Sequence, residues 1–250
     1  MKPCADEPSA SGQSAGDDRG GTIALVVPCW NDAAALRALL SRAGSLNGIA
    51  EVIVADASTT GEARRVATQA GARVAACPQP NRGAQMNAGA RLATAGTVLF
   101  HHADTGIAQP HLDALGAALK DPATIGGAFH RKYDHRHRGF AWIEPLARAW
   151  NARGGTLYGD QSIFVRRAIF EQLGGFAEIP LMEDVEFSRR LRRAGRTVLL
   201  DPPIATSARH HLRRGPWRTT ARNATMLLLY RCGVSPHRLH RWYYRGFAPG

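Results

Sequence analysis

The chain of 250 residues has no run long and apolar enough to span a bilayer; the longest candidate, Ala224 to Tyr230, is far too short. The N-terminus has no apolar stretch of the signal-peptide kind. Residues 1–21 are Ser, Gly, Ala, Asp and Pro for the most part and read as a disordered leader. Cysteine is scarce. Cys4, Cys29, Cys77 and Cys232 are widely spaced and form no C-x-x-C pair, which argues against a zinc site and against a disulfide framework. There is no G-x-G-x-x-G and no G-x-x-x-x-G-K-[ST], so dinucleotide and P-loop sites are disfavoured. Together these shortages favour a soluble or peripheral cytoplasmic protein. Acid is missing from one region altogether: after Asp201 there is no Asp or Glu.

What is present is basic. The formal net charge is +12, which implies acidic partners such as nucleotide phosphates, nucleic acid or anionic lipid headgroups. In the acid-free tail, residues 207–250, arginines surround an apolar stripe of Trp217, Ala221, Ala224 and Leu228, with Trp242, Tyr243 and Tyr244 beyond. A basic amphipathic helix with aromatics suits a membrane surface. The plainer alternative is a helix packed on the domain with solvated arginines.

Between these ends, residues 22–206 alternate strand and helix. The apolar run Ile23–Val27, stopped by Pro28, reads as a buried parallel strand. Asn31 or Asp32 can cap a helix through Leu46, whose Leu36, Leu39, Leu40 and Ala43 share a face. Further strands are expected at Glu51–Ala55, Arg73–Cys77 and Val98–His102. Helices are expected near Ala63–Ala70, over Gly83–Thr94, where Gly89 is a weak point, and from Pro110 to Leu119. The second half is less regular: strands at Gly126–Tyr133, Ser162–Val165 and Thr197–Leu200, and helices at Phe140–Ala152, Ala168–Leu173 and Asp184–Arg193. On the last helix Phe187, Leu191 and Ala194 share a face. The pattern predicts an α/β fold, a mostly parallel Rossmann-like sheet with helices on both faces and a basic helical tail.

In such a sheet, ligands bind beyond the carboxyl ends of the strands. A carboxylate follows each of three strands: Asp32 in Pro28-Cys29-Trp30-Asn31-Asp32, Asp56 in Asp56-Ala57-Ser58-Thr59, and Asp104 in His102-Ala103-Asp104. Asp56 can accept hydrogen bonds from a base or ribose; the bland reading is an Asx-turn around Ser58. Asp104 offers oxygen and His102 nitrogen to a divalent ion, a mixture suited to Mn²⁺ and tolerable for Mg²⁺. His211, after the last strand, is a candidate third ligand. Arg82, at a helix start, suits phosphate or ribose, and Asn87 on that helix is counted with it. Asp160 and Gln161 belong to a pocket loop or a simple turn. Glu183 and Asp184 open a helix where acids complement the dipole, and one of them can serve as a general base.

Taken in order, these pieces resemble the family 2 glycosyltransferases. Pro28-Cys29-Trp30-Asn31-Asp32 resembles the family's P-x-x-N-E turn, Asp56-Ala57-Ser58 its D-G-S turn, and His102-Ala103-Asp104 its D-x-D metal motif. Gly174-Gly175-Phe176 with Glu183-Asp184 resembles its G-G-F … E-D stretch. The closest likeness is to a bacterial subgroup with H-A-D-T, G-D-Q and P-L-M-E-D-V-E, often associated with radical-SAM or selenium-related gene clusters. The resemblance implies a GT-A fold and an inverting transfer from a nucleotide-diphosphate sugar. It implies donor contacts from Pro28, Asn31, Asp32, Asp56, Ser58, Arg82, Asn87, Asp104, Asp160 and Gln161. The metal would sit on Asp104, with His102 in place of the motif's first acid, and Asp184 would act as base with Glu183 beside it. The acceptor is not identified; the tail hints at a lipid-linked one. Two alternatives were open at this level. A nucleotidyltransferase would show a Gly-rich first turn near Pro28, which is missing. A nucleic-acid binder, argued from the basic tail, would need base-stacking aromatics and a known reader motif, also missing, so no nucleic-acid partner is expected.

Overall fold

The computed structural model describes residues 23–135, 140–152, 154–208, 212 and 215–244. The expected leader and His210, His211 and Arg209 lie outside the described residues.

Eight strands form one sheet: β1 (Ile23–Cys29), β2 (Ile49–Asp56), β3 (Arg73–Ala76), β4 (Thr97–Phe100), β5 (Thr105–Gly106), β6 (Thr124–Tyr133), β7 (Phe164–Arg166) and β8 (Arg196–Thr206). Their order is β3-β2-β1-β4-β7-β6-β8-β5. β1 to β4 are mutually parallel, and β6 and β8 run the same way; β7 and β5 run against them. The helices are α1 (Ala33–Ala43), α2 (Glu62–Gln69), α3 (Arg82–Leu92), α4 (Gln109–Leu119), α5 (Phe140–Ala152), α6 (Arg167–Gln172), α7 (Glu183–Ala194), α8 (Pro216–Arg231) and α9 (Pro236–Tyr244).

The unbroken apolar run of β1 serves two cores at once. Ile23, Leu25, Val27 and Cys29 face a cluster with Leu36, Leu39, Val66 and Leu115, from α1, α2 and α4. Ala24 and Val26 face the opposite cluster, with Met86, Phe170, Phe187 and Leu191 from α3, α6 and α7. Period-two alternation on a doubly covered sheet therefore reads as continuous hydrophobicity. Pro28 does not stop the strand. It continues to pair with Ala55 of β2, beyond the last β1–β4 pair, Val26 with Phe100, so its missing N–H breaks no ladder bond.

Three other expectations need correction. β8 runs on to Thr206 past Asp201-Pro202-Pro203, because its register against β6 shifts between Phe129 and Arg131 and the prolines fall in that irregularity. Ala194, expected on one face with Phe187 and Leu191, is exposed while those two are buried. Gly89 is not simply a weak point of α3: a Cβ there would lie 2.4 Å from Val26 Cγ1, so the glycine lets the helix approach β1. Gly89→Ala is accordingly expected to lower stability by about 1–3 kcal/mol, despite alanine's better helix propensity. A urea-denaturation midpoint checks this, and a midpoint equal to or above the parent's refutes the close-packing account.

The tail folds back on the domain. Pro216, Thr219 and Leu239 are buried, and the Arg222 guanidinium lies 3.9 Å from the Tyr243 ring centroid. Trp217, Ala221, Ala224 and Leu228, the stripe read from the sequence, remain exposed. No helix among the described residues is long and apolar enough to cross a membrane.

Candidate active site

The carboxyl ends of β1, β2 and β4 open on one edge of the sheet. The first two are tied together by polar contacts. Asn31 takes a left-handed backbone (φ 52°), donates its N–H to Ser58 Oγ at 2.9 Å, and accepts from the Thr59 N–H at 3.0 Å. Asp32, not Asn31, caps α1, accepting from the Ala35 N–H at 3.2 Å. Buried Gln85 of α3 donates to the carbonyls of Cys29 and Ala55, both at 2.9 Å, and so pins the two strand ends from below. Asp56 is 3 % exposed and accepts the Ser58 N–H at 2.9 Å, the Asx-turn geometry. Trp30, between these turns, is 56 % exposed.

The loop after β4 is anchored by His101, which is buried. Its Nε2 lies 3.0 Å from the Thr105 carbonyl and so donates to it, which leaves Nδ1 to accept from Ser162 Oγ at 2.8 Å. Burial pushes the His101 imidazole down to about 4. This clamp fixes the next residues, His102 and Asp104, at the sheet edge. Burial, assisted by Arg82, takes His102 down to about 3, so its ring is neutral with a free lone pair. Asp104 lies at the rim. Desolvation raises its pKa, and Asp32 and Asp160 push it the same way.

One wall of the cleft comes from α7. Met182 has left-handed backbone (φ 72°) and turns the chain so that Glu183 and Asp184 begin the helix at the cleft. Asn31, Ser162 and Met182 are the non-glycine residues with positive φ among those described, and all three flank this cleft, where strain is commonly held for function. Asp184 Oδ2 accepts the Gly159 N–H at 2.8 Å, and Oδ1 accepts the N–H of Val185 at 2.7 Å. Burial, then the neighbouring Glu183 charge, pushes its carboxyl up to about 6. Glu183 is buried and pairs with Arg82 Nη1 at 3.3 Å. Desolvation pulls the Arg82 guanidinium down, but Glu183, Asp184, Tyr244 and Asp160 outweigh it and hold it above its usual range. A Cβ on Gly159 would stand 3.1 Å from His102 Nε2 and 3.6 Å from Asp184 Oδ2, so the glycine keeps open the space between those two groups.

Asp160, in the 3-10 turn Gly159–Gln161, pairs with Arg131 Nη1 of β6 at 2.5 Å; its Oδ1 is buried without a hydrogen-bond partner. The structure thus brings Asp32, Asp104, Asp160, Glu183 and Asp184 into one field with Arg82 and Arg131. Asp56 and Ser58 sit along the same edge, next to Cys29. Two proposed donor residues are turned elsewhere. Asn87 bonds the Phe176 backbone with both ends of its amide, at 2.9 and 2.8 Å, fastening the Gly174-Gly175-Phe176 turn to α3. Buried Gln161 bonds the Phe129 carbonyl and the Tyr158 N–H. Both amides are structural for the same reason: a buried amide needs its partners, and here they are backbone groups. Arg131 and Tyr244 were not read from the sequence as site residues, and Gly159 was read only as the first residue of the Gly159-Asp160-Gln161 pocket loop. Arg131 belongs to a strand whose neighbours gave no motif, Gly159 acts through its N–H and its missing Cβ, and Tyr244 reaches the Arg82–Glu183 pair only because the tail folds back.

A divalent cation fits this site. Five carboxylates share it with two guanidiniums, leaving an excess of negative charge that a diphosphate would deepen. Asp104 and neutral His102 supply one oxygen and one nitrogen, and ions of this kind are often held by one or two protein ligands plus substrate phosphates. Among the described residues no group of three or more acidic, His or Cys side chains forms a ready-made cage, so phosphate oxygens and water would complete the shell.

A mostly parallel sheet, acids converging at its carboxyl edge and a helix-borne acid pair define the GT-A class of glycosyltransferase. Solved structures share that fold. The mannosyltransferase PcManGT from Pyrobaculum calidifontis, in complex with GDP-Man and Mn²⁺, is 22% identical, with a TM-score of 0.62 over 90% of this chain and 70% of that one. S. aureus TarS 1-349 is 16% identical, with a TM-score of 0.60 over 75% of this chain; the match spans 60% of the TarS chain. Glucosyl-3-phosphoglycerate synthase from Mycobacterium tuberculosis, in complex with Mn²⁺, UDP and glucosyl-3-phosphoglycerate, is 22% identical, with a TM-score of 0.57 over 86% of this chain and 81% of that one. No curated protein sequence matches. The profile of glycosyl transferase family 2 matches residues 24–174, and the chain belongs to that family.

Proposed function

We propose that this enzyme moves a sugar from a nucleotide-diphosphate donor to a hydroxyl acceptor with inversion, using Asp184 as general base. The observation that carries the reading is the placement of Asp184. Two backbone N–H groups hold its carboxylate beside His102 and the Arg82–Glu183 pair, and its raised pKa makes it a better proton acceptor. The acceptor oxygen gives its proton to Asp184 and bonds to the anomeric carbon. The bond from that carbon to the β-phosphate oxygen breaks on the opposite face, and its electron pair leaves with the nucleoside diphosphate. Asp56 and Ser58 suit the ribose or base, exposed Trp30 offers a stacking face, and Arg82 meets phosphate. A divalent ion held by Asp104 and His102 would neutralise charge on the departing diphosphate. The P. calidifontis protein with GDP-Man and Mn²⁺, and the M. tuberculosis protein with UDP and Mn²⁺, support the nucleotide and metal parts of this reading.

The same reading takes residues 22–206 as the transferase domain and 207–250 as a tail in peripheral contact with an anionic membrane, on a cytoplasmic enzyme; its acid-free composition supports that. It also keeps the likeness to the radical-SAM and selenium-associated subgroup, carried by His102-Ala103-Asp104-Thr105 and Gly159-Asp160-Gln161.

A thermal-shift screen of UDP-, GDP- and dTDP-sugars with Mn²⁺ tests the donor assignment. A donor at 100 times its Kd should stabilise by about 2.7 kcal/mol, or roughly 5–10 °C at this size. A flat response to all three would remove it.

A further inference from the structure

Helix α7 turns Phe187 and Leu191 into the core. Its other face, with Arg189 and Arg192, borders a cavity of about 570 Å³. Arg193 follows on the same helix, residues 154–156 line one side, and the last turn of α8 closes it with Tyr230 and Arg231. None of the residues lining the cavity is acidic. The nearest acid on the helix, Glu186, is committed to Arg190, whose Nε and Nη2 reach both of its oxygens within 2.9 Å; Arg189 stands at 3.8 Å. Arg192 Nη1 donates to Thr197 Oγ1 at 3.2 Å, which orients it, and desolvation lowers its pKa.

We propose that this cavity is a binding site for a phosphate-bearing ligand. Arg189, Arg192, Arg193 and Arg231 line one space with no acid among its lining residues, and a bound anion would offset their mutual repulsion with charge-assisted hydrogen bonds. The planar guanidinium forks match phosphate oxygens in pairs, which the point charge of lysine would not. The volume lies within the range of small-molecule sites and exceeds what one phosphate fills, so the ligand carries more than its anion. Two sources share this chemistry: a soluble phosphate ester and a phospholipid headgroup. The second has structural support. The Arg231 guanidinium lies 5.3 Å from the Trp150 ring centroid, and Trp150 shares α5 with Trp142 and Leu146 at four-residue spacing. These three are 46 %, 75 % and 71 % exposed in the order Trp150, Trp142, Leu146. Aromatic and aliphatic groups next to arginines are what an interfacial surface presents. The site also adjoins the cleft, since Val185, the residue after Asp184, lines it.

The test needs neither donor nor turnover, so it stands apart from the transfer reading. The full chain in EDTA is titrated calorimetrically with inorganic pyrophosphate, and cosedimented with phosphatidylcholine vesicles with or without phosphatidic acid. Arg189→Gln/Arg193→Gln removes two cations from the cavity; Arg37→Gln/Arg65→Gln removes two from exposed positions on α1 and α2. All four side chains are exposed, and denaturation midpoints verify folding. Saturable binding should weaken at least about tenfold in the first pair and less than about twofold in the second. Binding of pyrophosphate identifies a soluble ester, and binding of phosphatidic acid vesicles alone identifies a headgroup; either supports the site. Binding of neither probe, or a loss that both pairs share or neither shows, overturns it.

Discussion

Asp184→Asn is expected to lower kcat by roughly 10²–10⁴-fold, the range of general-base catalysis, while donor Kd changes by less than about threefold. The split follows from position. Asp184 is held by Gly159 and Val185 and faces the reaction space beside His102, whereas Arg82, Asp56 and Asp104 meet the donor in the proposed reading. One amide oxygen can accept only one of those two N–H groups, so donor Kd also serves as the check that the cleft is intact. In the parent enzyme kcat/KM should fall as pH drops below about 6, because the base must be ionised. Stability runs the other way. A folded-state pKa raised above the ordinary carboxylate value favours the protonated form, so this contribution is present in acid and is lost as pH rises through about 6. Buried His101 and His102, held neutral in the fold, add stability as pH rises through the same range, so the Asp184 contribution is read as the parent's urea midpoint minus that of Asp184→Asn across pH 4–8, and this difference should fall as the initial rate rises. Full transfer by Asp184→Asn would mean that another group takes the proton, and Glu183, paired with Arg82, would be next to examine.

The sheet was legible because hydrophobic period and turn residues agree along the first 120 residues. β1 to β4 and α1 to α4 lie close to where alternation and caps put them. Where reading failed, long-range geometry had overridden a local rule. Proline marked the end of β1, and β8 was expected to stop at Leu200, yet both strands continue, the first because its neighbour had already ended and the second because the register shifts at the prolines. The acids after β1, β2 and β4 could be placed at one edge because the strands before them were legible, although Asp32 also caps α1 and Asp56 also closes an Asx-turn. Amides were not legible in this way. Asn87 and Gln85 sit two positions apart on one helix, yet one fastens the Gly174–Phe176 turn and the other ties β1 to β2. Nothing in the sequence distinguishes such clamps from ligands, because the partner is a backbone group brought close by the fold. The tail shows the same limit. Its charge and its stripe were plain, but the approach of Tyr244 to Arg82 depends on the path between α8 and α9.

Asp104→Ala is expected to weaken Mn²⁺-dependent nucleoside diphosphate binding by about a hundredfold or more, since even outer-shell partners of a metal cost 10–100-fold when lost. The parent in EDTA should fall to the same level, and the variant should then be insensitive to EDTA. Charge explains the size of the effect. Arg82 already faces Glu183 and Arg131 faces Asp160, so neither cation is available in full to a diphosphate entering beside five carboxylates. His102→Ala should cost less and act on metal choice. A neutral imidazole nitrogen favours Mn²⁺ over Mg²⁺, so its removal should narrow the ratio of the two affinities. His102→Asp restores an acid at that position, adds another negative charge, and should shift the preference toward Mg²⁺. Isothermal titration of the nucleoside diphosphate in each metal measures all three. If Asp104→Ala binds the nucleotide as the parent does, with and without Mn²⁺, no cation is held there, and the excess of acid over base in the cleft would need a different explanation.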